Sequence, residues 1–250
     1  MNETLGEMTS LTQQHNNCVV LVTHRIDEAS HRYLRYLKEQ MTEVMDFVVL
    51  FDNHSQALDP ADYPDLQFQL FNSAEVKGFF HGGNHRIPNP LLPLLAFAEK
   101  TDYKHYLVME GDLAYTGDWR SFVRKMNGLG CDYVHIAADV MGDPRHWPIC
   151  YAKDFPFAHL YFAWCHLFYA SRRFLSDIGA FMQQNDSIYY EFLLPSMAYD
   201  NGYYVRQFEN FGYQFQVSYG PPEDYERKYL EETTNNTFYH PIKNSNIIKY

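Results

Sequence analysis

The run His105-Tyr106-Leu107-Val108-Met109-Glu110-Gly111-Asp112-Leu113-Ala114-Tyr115-Thr116-Gly117-Asp118-Trp119 carries the most chemistry in the chain. Its apolar first half reads as a buried strand, and Gly111-Asp112 marks the turn that ends it. Side chains two apart on an extended segment point the same way, so Glu110 and Asp112 can converge on one cation. Hard carboxylate oxygens suit Mg²⁺ or Mn²⁺, with the remaining positions left to water and phosphate oxygens. That is the chemistry of a diphosphate site. An acidic strand-end turn uses the same residues, because Gly and Asp are both turn formers. Asp118 immediately precedes a helical pattern from Trp119 to Met126 and reads as its N-cap.

For such a pair to meet a ligand, the strand must end at an open edge of a layered α/β domain, where ligands gather at strand carboxyl ends. The flanking elements predict that setting. Cys18 to His24 is a near-continuous apolar strand, and a helix follows over Ala29 to Met45 with Tyr33, Leu34, Leu37, Met41 and Val44 at helical spacing. Asp46 to Asp52 is a second buried strand, so the opening predicts a parallel crossover. Both strands end in polar residues, Thr23-His24-Arg25 and Asp52-Asn53-His54. Residues 55–90 read as loop, with His81-Gly82-Gly83-Asn84 either a surface turn or a loop beside the ligand. A helix over Leu91 to Thr101, with Pro93 in its first turn, feeds the acidic strand. Beyond it come a strand (Asp132 to Asp139), a Pro-rich loop (143–158), an aromatic strand (Leu160 to Ala170) and helices over Ser171 to Gln183 and Tyr189 to Asn201. A strand over Tyr203 to Phe208 precedes a polar tail whose one apolar knot is Thr237 to Lys243. The sum is an α/β domain with a mostly parallel sheet flanked by helices.

Composition narrows the partners. The 250 residues suffice for one sizeable core, and 46% hydrophobic with 20% charged residues is globular. A formal net charge of -11 excludes a nucleic-acid polymer as the main partner. A small anionic ligand is compatible if a metal ion and a few local cations balance it. Cys18, Cys131, Cys150 and Cys165 lack zinc-like spacing and read as free thiols in a reducing compartment. The polar stretch from Met1 to Asn17 has no signal-peptide core, and no run reaches the ~20 apolar residues of a bilayer span. The expectation is a cytoplasmic protein, with peripheral membrane association left open.

Together these features resemble the GT-A class of nucleotide-sugar glycosyltransferases. The resemblance rests on the strand order, on Glu110-Gly111-Asp112 where the class usually carries Asp-x-Asp, and on His240-Pro241-Ile242-Lys243 near the end. It implies a Rossmann-type sandwich: a lead-in over 1–16, then one catalytic domain over 17–250. Residues 17–118 would form the nucleotide-binding half and 119–219 the acceptor half, with 220–250 a tail closing over the site. It also implies that Glu110, Asp112 and His240 hold Mn²⁺ or Mg²⁺ on the donor diphosphate, and that Lys243 meets a phosphate oxygen. Thr23, His24, Arg25 and Asp52 would recognise the nucleotide. The donor would be a nucleoside-diphosphate sugar. The acceptor would be a saccharide or lipid-linked molecule, as in surface polysaccharide or glycolipid assembly.

If the reaction inverts the anomeric centre, a carboxylate must take the acceptor's proton. Glu191, at the start of a helix whose dipole keeps it ionised, is the first candidate and Asp186 the competitor. Glu191 in that position equally serves helix stability alone. Trp164, His166 and Tyr169 offer an acceptor-stacking face, although alternation allows only part of that aromatic run to be anything but core. Nucleotidyl transfer and metal-dependent phosphoester hydrolysis use the same paired carboxylates. The turn after the first strand, Arg25-Ile26-Asp27-Glu28, lacks the glycines of a nucleotidyltransferase loop. No G-x-G-x-x-G follows a strand, which disfavours a dehydrogenase. A non-catalytic sugar- or nucleotide-binding module remains the other reading.

Overall fold

The two Val-rich runs are strands, and the amphipathic stretch between them is a helix: β1 (Asn17–Thr23), α1 (Glu28–Met41) and β2 (Asp46–Asp52). The computed structural model describes residues 13–75, 79–82, 85–88, 91–141, 156–184, 189–217, 220–232 and 235–249, with 79–82, 85–88 and 140–141 by backbone alone. Asp27 starts α1 with a capping box: its carboxylate accepts from Ser30 N at 2.9 Å and its own amide donates to Ser30 Oγ at 2.7 Å. The helix stops four residues short of Met45. Thr42 N closes the last turn on Lys38 O at 2.9 Å, and the next residues turn into β2.

Residues 55–90 hold more regular structure than expected. β3 (Phe68–Phe71) runs parallel beside β2, and β4 (Phe79–Gly82) pairs with β5 (His85–Pro88) as a hairpin. Four residues of mixed polarity are too few to stand out from a loop; β2 supplies the ladder that makes them a strand. The chain continues through α2 (Leu91–Lys100), β6 (His105–Glu110), β7 (Ala114–Tyr115) and α3 (Trp119–Asn127). Then follow β8 (Tyr133–His135), β9 (Asp139–Met141), β10 (Leu160–Phe162), β11 (Leu167–Ser171), α4 (Arg172–Met182) and α5 (Tyr190–Asp200). The last elements are β12 (Val205–Gln207), β13 (Gln214–Val217), α6 (Pro222–Glu231) and β14 (Thr237–His240).

Seven strands form the central sheet in the order β12-β8-β11-β6-β1-β2-β3. All neighbours are parallel except β11, which is antiparallel to both β6 and β8. Alternation along each strand sorts the core to two sides. Val19, Leu21, Leu107 and Met109 pack with α1 and α3; Cys18, Val20, Tyr106 and Val108 pack with α2, α4 and α5. The fold is therefore the expected α/β sandwich around a mostly parallel sheet. Among the described residues, no helix is long and apolar enough to cross a membrane.

Two expected strands are broken. Asp132 to Asp139 divides into β8 and β9, because Glu209 takes the Ala137 amide at 2.9 and 3.0 Å and draws the chain off the ladder. Leu160 to Ala170 divides into β10, which pairs with β9, and β11 in the central sheet. Between them, Ala163 N donates to Glu191 O at 3.0 Å and Cys165 N to the Glu191 carboxylate at 3.3 Å. An unbroken apolar run hides both interruptions, since the acceptors that cause them lie far along the chain.

The tail is part of the architecture. β14 lies between β13 and β7, pairing Phe238 with Tyr115 and Tyr239 with Ala114. Tyr115 and Phe238 stack at 4.1 Å between ring centroids, and Trp119 and Phe122 close around them edge-on. Such pairs contribute about 0.5–1.5 kcal/mol each beyond the area they bury. They hold the tail against the segment that follows Asp112.

Candidate metal and diphosphate site

β1, β2, β3 and β6 all end at one edge of the sheet, and a cleft of about 460 Å³ opens there. Thr23, His24, Arg25, Asp52, Glu110, Asp112 and Lys243 line it, together with Asp27 and Ser30 at the start of α1. An apolar side is made by Leu91, Pro93 and Leu94 of α2, with Val108, Phe168 and Tyr190. Cys165 also faces it, and burial pushes its thiol pKa up, so the group is a neutral wall residue.

Glu110 and Asp112 flank a glycine that lets the turn lie against β1. Gly111 N donates to Val22 O at 2.9 Å. A Cβ at position 111 would sit 3.0 Å from both Cβ and Oγ1 of Thr23. Tail and turn are joined beyond the motif, where Ile242 N donates to Asp112 O at 2.9 Å. That bond and the β7–β14 pairing carry His240 and Lys243 onto the acidic pair. His240 Nε2 lies 3.0 Å from Glu110 Oε2 and 3.1 Å from Asp112 Oδ1, and the Lys243 amine contacts Asp112 Oδ2.

His166 is the member that sequence reasoning placed elsewhere. It was expected on an acceptor face; instead its Nδ1 lies 3.3 Å from Glu110 Oε1 and its ring stacks on His240 with centroids 3.6 Å apart. The backbone makes this placement: Glu110 N donates to His166 O at 3.0 Å, where β11 starts beside the end of β6. An antiparallel β11 puts its first residues at the carboxyl end of β6, so the signal was present in the topology and absent from local sequence.

Glu110, His166 and His240 each offer a ligand atom, all within 4.8 Å of one another. Both ring nitrogens of His240 are buried, and Nε2 lies within 3.1 Å of two carboxylates without meeting hydrogen-bond geometry with either. Carboxylates converging on an imidazole in this way fit a divalent cation held by mixed oxygen and nitrogen donors. A proton competes with such an ion for the imidazole. Burial would lower the His240 pKa, yet the Asp112 and Glu110 carboxylates raise it to about 9. Burial would raise both acids, but His166 and His240 hold Glu110, and His240 and Lys243 hold Asp112, below the usual carboxylate range.

The remaining expected residues divide between the cleft, lined by Thr23, His24, Arg25 and Asp52, and positions away from it. Thr23 Oγ1 donates to Arg25 O at 3.1 Å, and the Arg25 guanidinium pairs with Asp27 at 3.3 Å on the rim. Asp52 Oδ1 accepts from His54 N and Ser73 N, each at 3.0 Å, which ties the ends of β2 and β3. Asp118 caps α3 by accepting from Arg120 N and Ser121 N at 3.1 and 3.2 Å. Trp164 is half-buried and stacks on His166 at 5.5 Å. Tyr169 does not join an acceptor face: it is fully buried on the α1/α3 side, stacked on His105, with its hydroxyl donating to Leu129 O. Glu191 is likewise fully buried, is not among the residues lining the cleft, and holds the 163–166 segment. Asp186, Cys150, Gly83, Asn84 and residues 1–12 lie outside the described residues. Cys18, Cys131 and Cys165 are buried free thiols.

No protein-family model matches the chain, and no curated protein does. Solved structures similar to it include the inositol-1-phosphate CTP transferase from T. maritima, at 11% identity over 78% of this chain and 86% of that one, with a TM-score of 0.43. HddC from Yersinia pseudotuberculosis matches at 12% identity over 76% and 88%, TM-score 0.43. An active-site mutant of LgtC matches at 15% identity over 76% and 72%, TM-score 0.44.

Proposed function

We propose that the chain is a metal-dependent glycosyltransferase, moving a sugar from a nucleoside-diphosphate donor to an acceptor hydroxyl. The observation that carries this reading is the convergence of Glu110, Asp112, His166, His240 and Lys243 at the cleft where the parallel strands end. Two carboxylates with two imidazoles suit Mn²⁺ better than Mg²⁺, which prefers an all-oxygen shell. Bound there, the ion would supply positive charge for the departing diphosphate.

The chain's own groups do the rest. Lys243, more than half exposed beside Asp112, meets a phosphate oxygen of the same diphosphate. Arg25 adds a second cation at the rim, and Thr23, His24 and Asp52 face the nucleoside from the ends of β1 and β2. The apolar side of the cleft excludes water from the reacting bond and strengthens these charge interactions. Trp164, stacked on His166 and partly buried, offers its remaining exposed ring edge to a saccharide or lipid-linked acceptor.

Nucleotidyl transfer uses the same ion. The turn after β1 argues against it: Asp27 occupies the Ser30 amide in the first turn of α1 with its own carboxylate, where a phosphate-cradling loop needs such amides free. A thermal-shift panel of UDP, GDP, CMP and TDP, with and without Mn²⁺, tests the site. Stabilisation that needs both nucleotide and metal is expected. Product analysis then separates the chemistries. Release of a nucleoside diphosphate from a sugar nucleotide supports glycosyl transfer, and pyrophosphate release from a nucleoside triphosphate and a sugar phosphate overturns it. No shift with any nucleotide removes the donor site altogether.

A further inference from the structure

Glu191 is a fully buried carboxylate on α5, set back from the cleft, and its contacts lead to the metal cluster. Its carboxylate accepts from Cys165 N at 3.3 Å and its carbonyl from Ala163 N at 3.0 Å. Further along α5, buried Ser196 grips the same segment: its hydroxyl accepts from Tyr161 N at 3.0 Å and bonds Tyr161 O at 3.3 Å. The residue after Cys165 is His166, whose carbonyl receives Glu110 N and whose ring lies against Glu110 and stacks on His240. One helix thus holds the segment at two points, and only the Glu191 point adjoins a cluster residue.

We infer that Glu191 is a positioning residue: by latching the Cys165 amide it fixes the 163–166 segment and so sets the His166 imidazole among the metal ligands. This rests on the metal reading proposed above. The physical reason is local. Residues 163–166 lie between β10 and β11, outside both ladders, so their amides need acceptors from elsewhere. An acceptor rigidly mounted on a helix fixes the segment more closely than water would, and groups that orient metal ligands typically alter metal affinity by about 10–100-fold when removed.

The test is Mn²⁺ binding to the intact protein, measured by titration calorimetry well below the melting temperature. Glu191→Asp shortens the arm by one methylene while keeping the carboxyl group, and Glu191→Ala removes the acceptor; either should weaken Mn²⁺ about 10-fold or more. Glu191→Gln retains a carbonyl acceptor and should restore wild-type affinity. Ser196→Ala should lower the melting temperature and leave Mn²⁺ affinity alone, which separates positioning from general stability. In a His166→Ala background, Glu191→Asp should have no further effect on the ion. Wild-type affinity in folded Glu191→Asp, failure of Glu191→Gln to restore binding, or an undiminished effect in the His166→Ala background would each overturn the inference while leaving the metal site intact. Absence of Mn²⁺ binding by the wild-type protein, or binding indifferent to Asp112→Asn and His240→Ala, would sink the underlying site.

Discussion

Gly111→Ala probes whether the acidic motif works because its turn can press against β1. The added Cβ would meet Thr23 Cβ and Oγ1 at 3.0 Å and Leu21 Cδ2 at 3.4 Å. Neither Thr23 atom can easily give way. Its Cβ is fixed to a strand paired on both sides, with β2 and with β6, and its hydroxyl is engaged with Arg25 O. The turn must move instead, stretching the Gly111 N to Val22 O bond and shifting the carboxylates on either side. Overpacking of this kind costs about 1–3 kcal/mol. Restricting the unfolded chain offsets about 0.4–1 kcal/mol. The net loss of roughly 0–2.6 kcal/mol, about 1.3 at its centre, corresponds to a melting temperature lower by up to about 10 °C for a chain of this size. Differential scanning fluorimetry reads that loss, and Mn²⁺ titration of the same protein should show weaker binding. Truncation of the neighbour in Gly111→Ala/Thr23→Ala should recover part of the stability, because one of the two short contacts is gone. A Gly111→Ala protein as stable as wild type, with unchanged Mn²⁺ affinity, would refute the close-approach argument.

Three further outcomes follow from particular contacts. Lys243→Met should weaken nucleoside-diphosphate binding about 10-fold in fluorescence titration while changing the melting temperature little, since the side chain is 57% exposed; equal weakening of a neutral nucleoside would contradict a phosphate role. Asp118→Ala should cost about 1 kcal/mol in urea unfolding, the usual loss for an N-cap, without altering Mn²⁺ affinity; a large metal effect would contradict a purely capping role. His135 supplies a pH prediction. Desolvation by burial lowers its pKa to about 4, partly opposed by the Ile136 carbonyl. The unfolded chain, titrating near pH ~6.5, therefore binds the extra proton first, and stability falls as pH drops from about 6.5 toward 4. At pH ~5 the loss is roughly 2 kcal/mol, and it should vanish from the slope in His135→Gln; parallel stability–pH curves for the two proteins would contradict it.

Much of the framework was legible because it depends on near neighbours. β1, β2 and β6 announce themselves as apolar runs, since a strand buried on both faces needs every residue apolar. The α3 start follows from Asp118, because a cap acts within three residues. Glu110 and Asp112 could be paired by the period of a strand alone. The short β3, the break at 163–166 and the early end of α1 were not legible. The first two depend on a partner brought from elsewhere, β2 for β3 and Glu191 for the break, while α1 ends where the adjoining residues turn into β2.

The sequence by itself determined the α/β alternation, the acidic motif at a strand end and the separate His-Pro-Ile-Lys, because local periodicity and residue chemistry are properties of adjacent positions. Only the tertiary structure decided which distant groups meet that motif. The β7–β14 pairing brings His240 and Lys243 to it, antiparallel β11 adds His166, and the α5 contact withdraws Glu191 from the cleft into the support behind it. Strand order and direction settle such meetings, and they follow from how whole elements bury their apolar faces against one another.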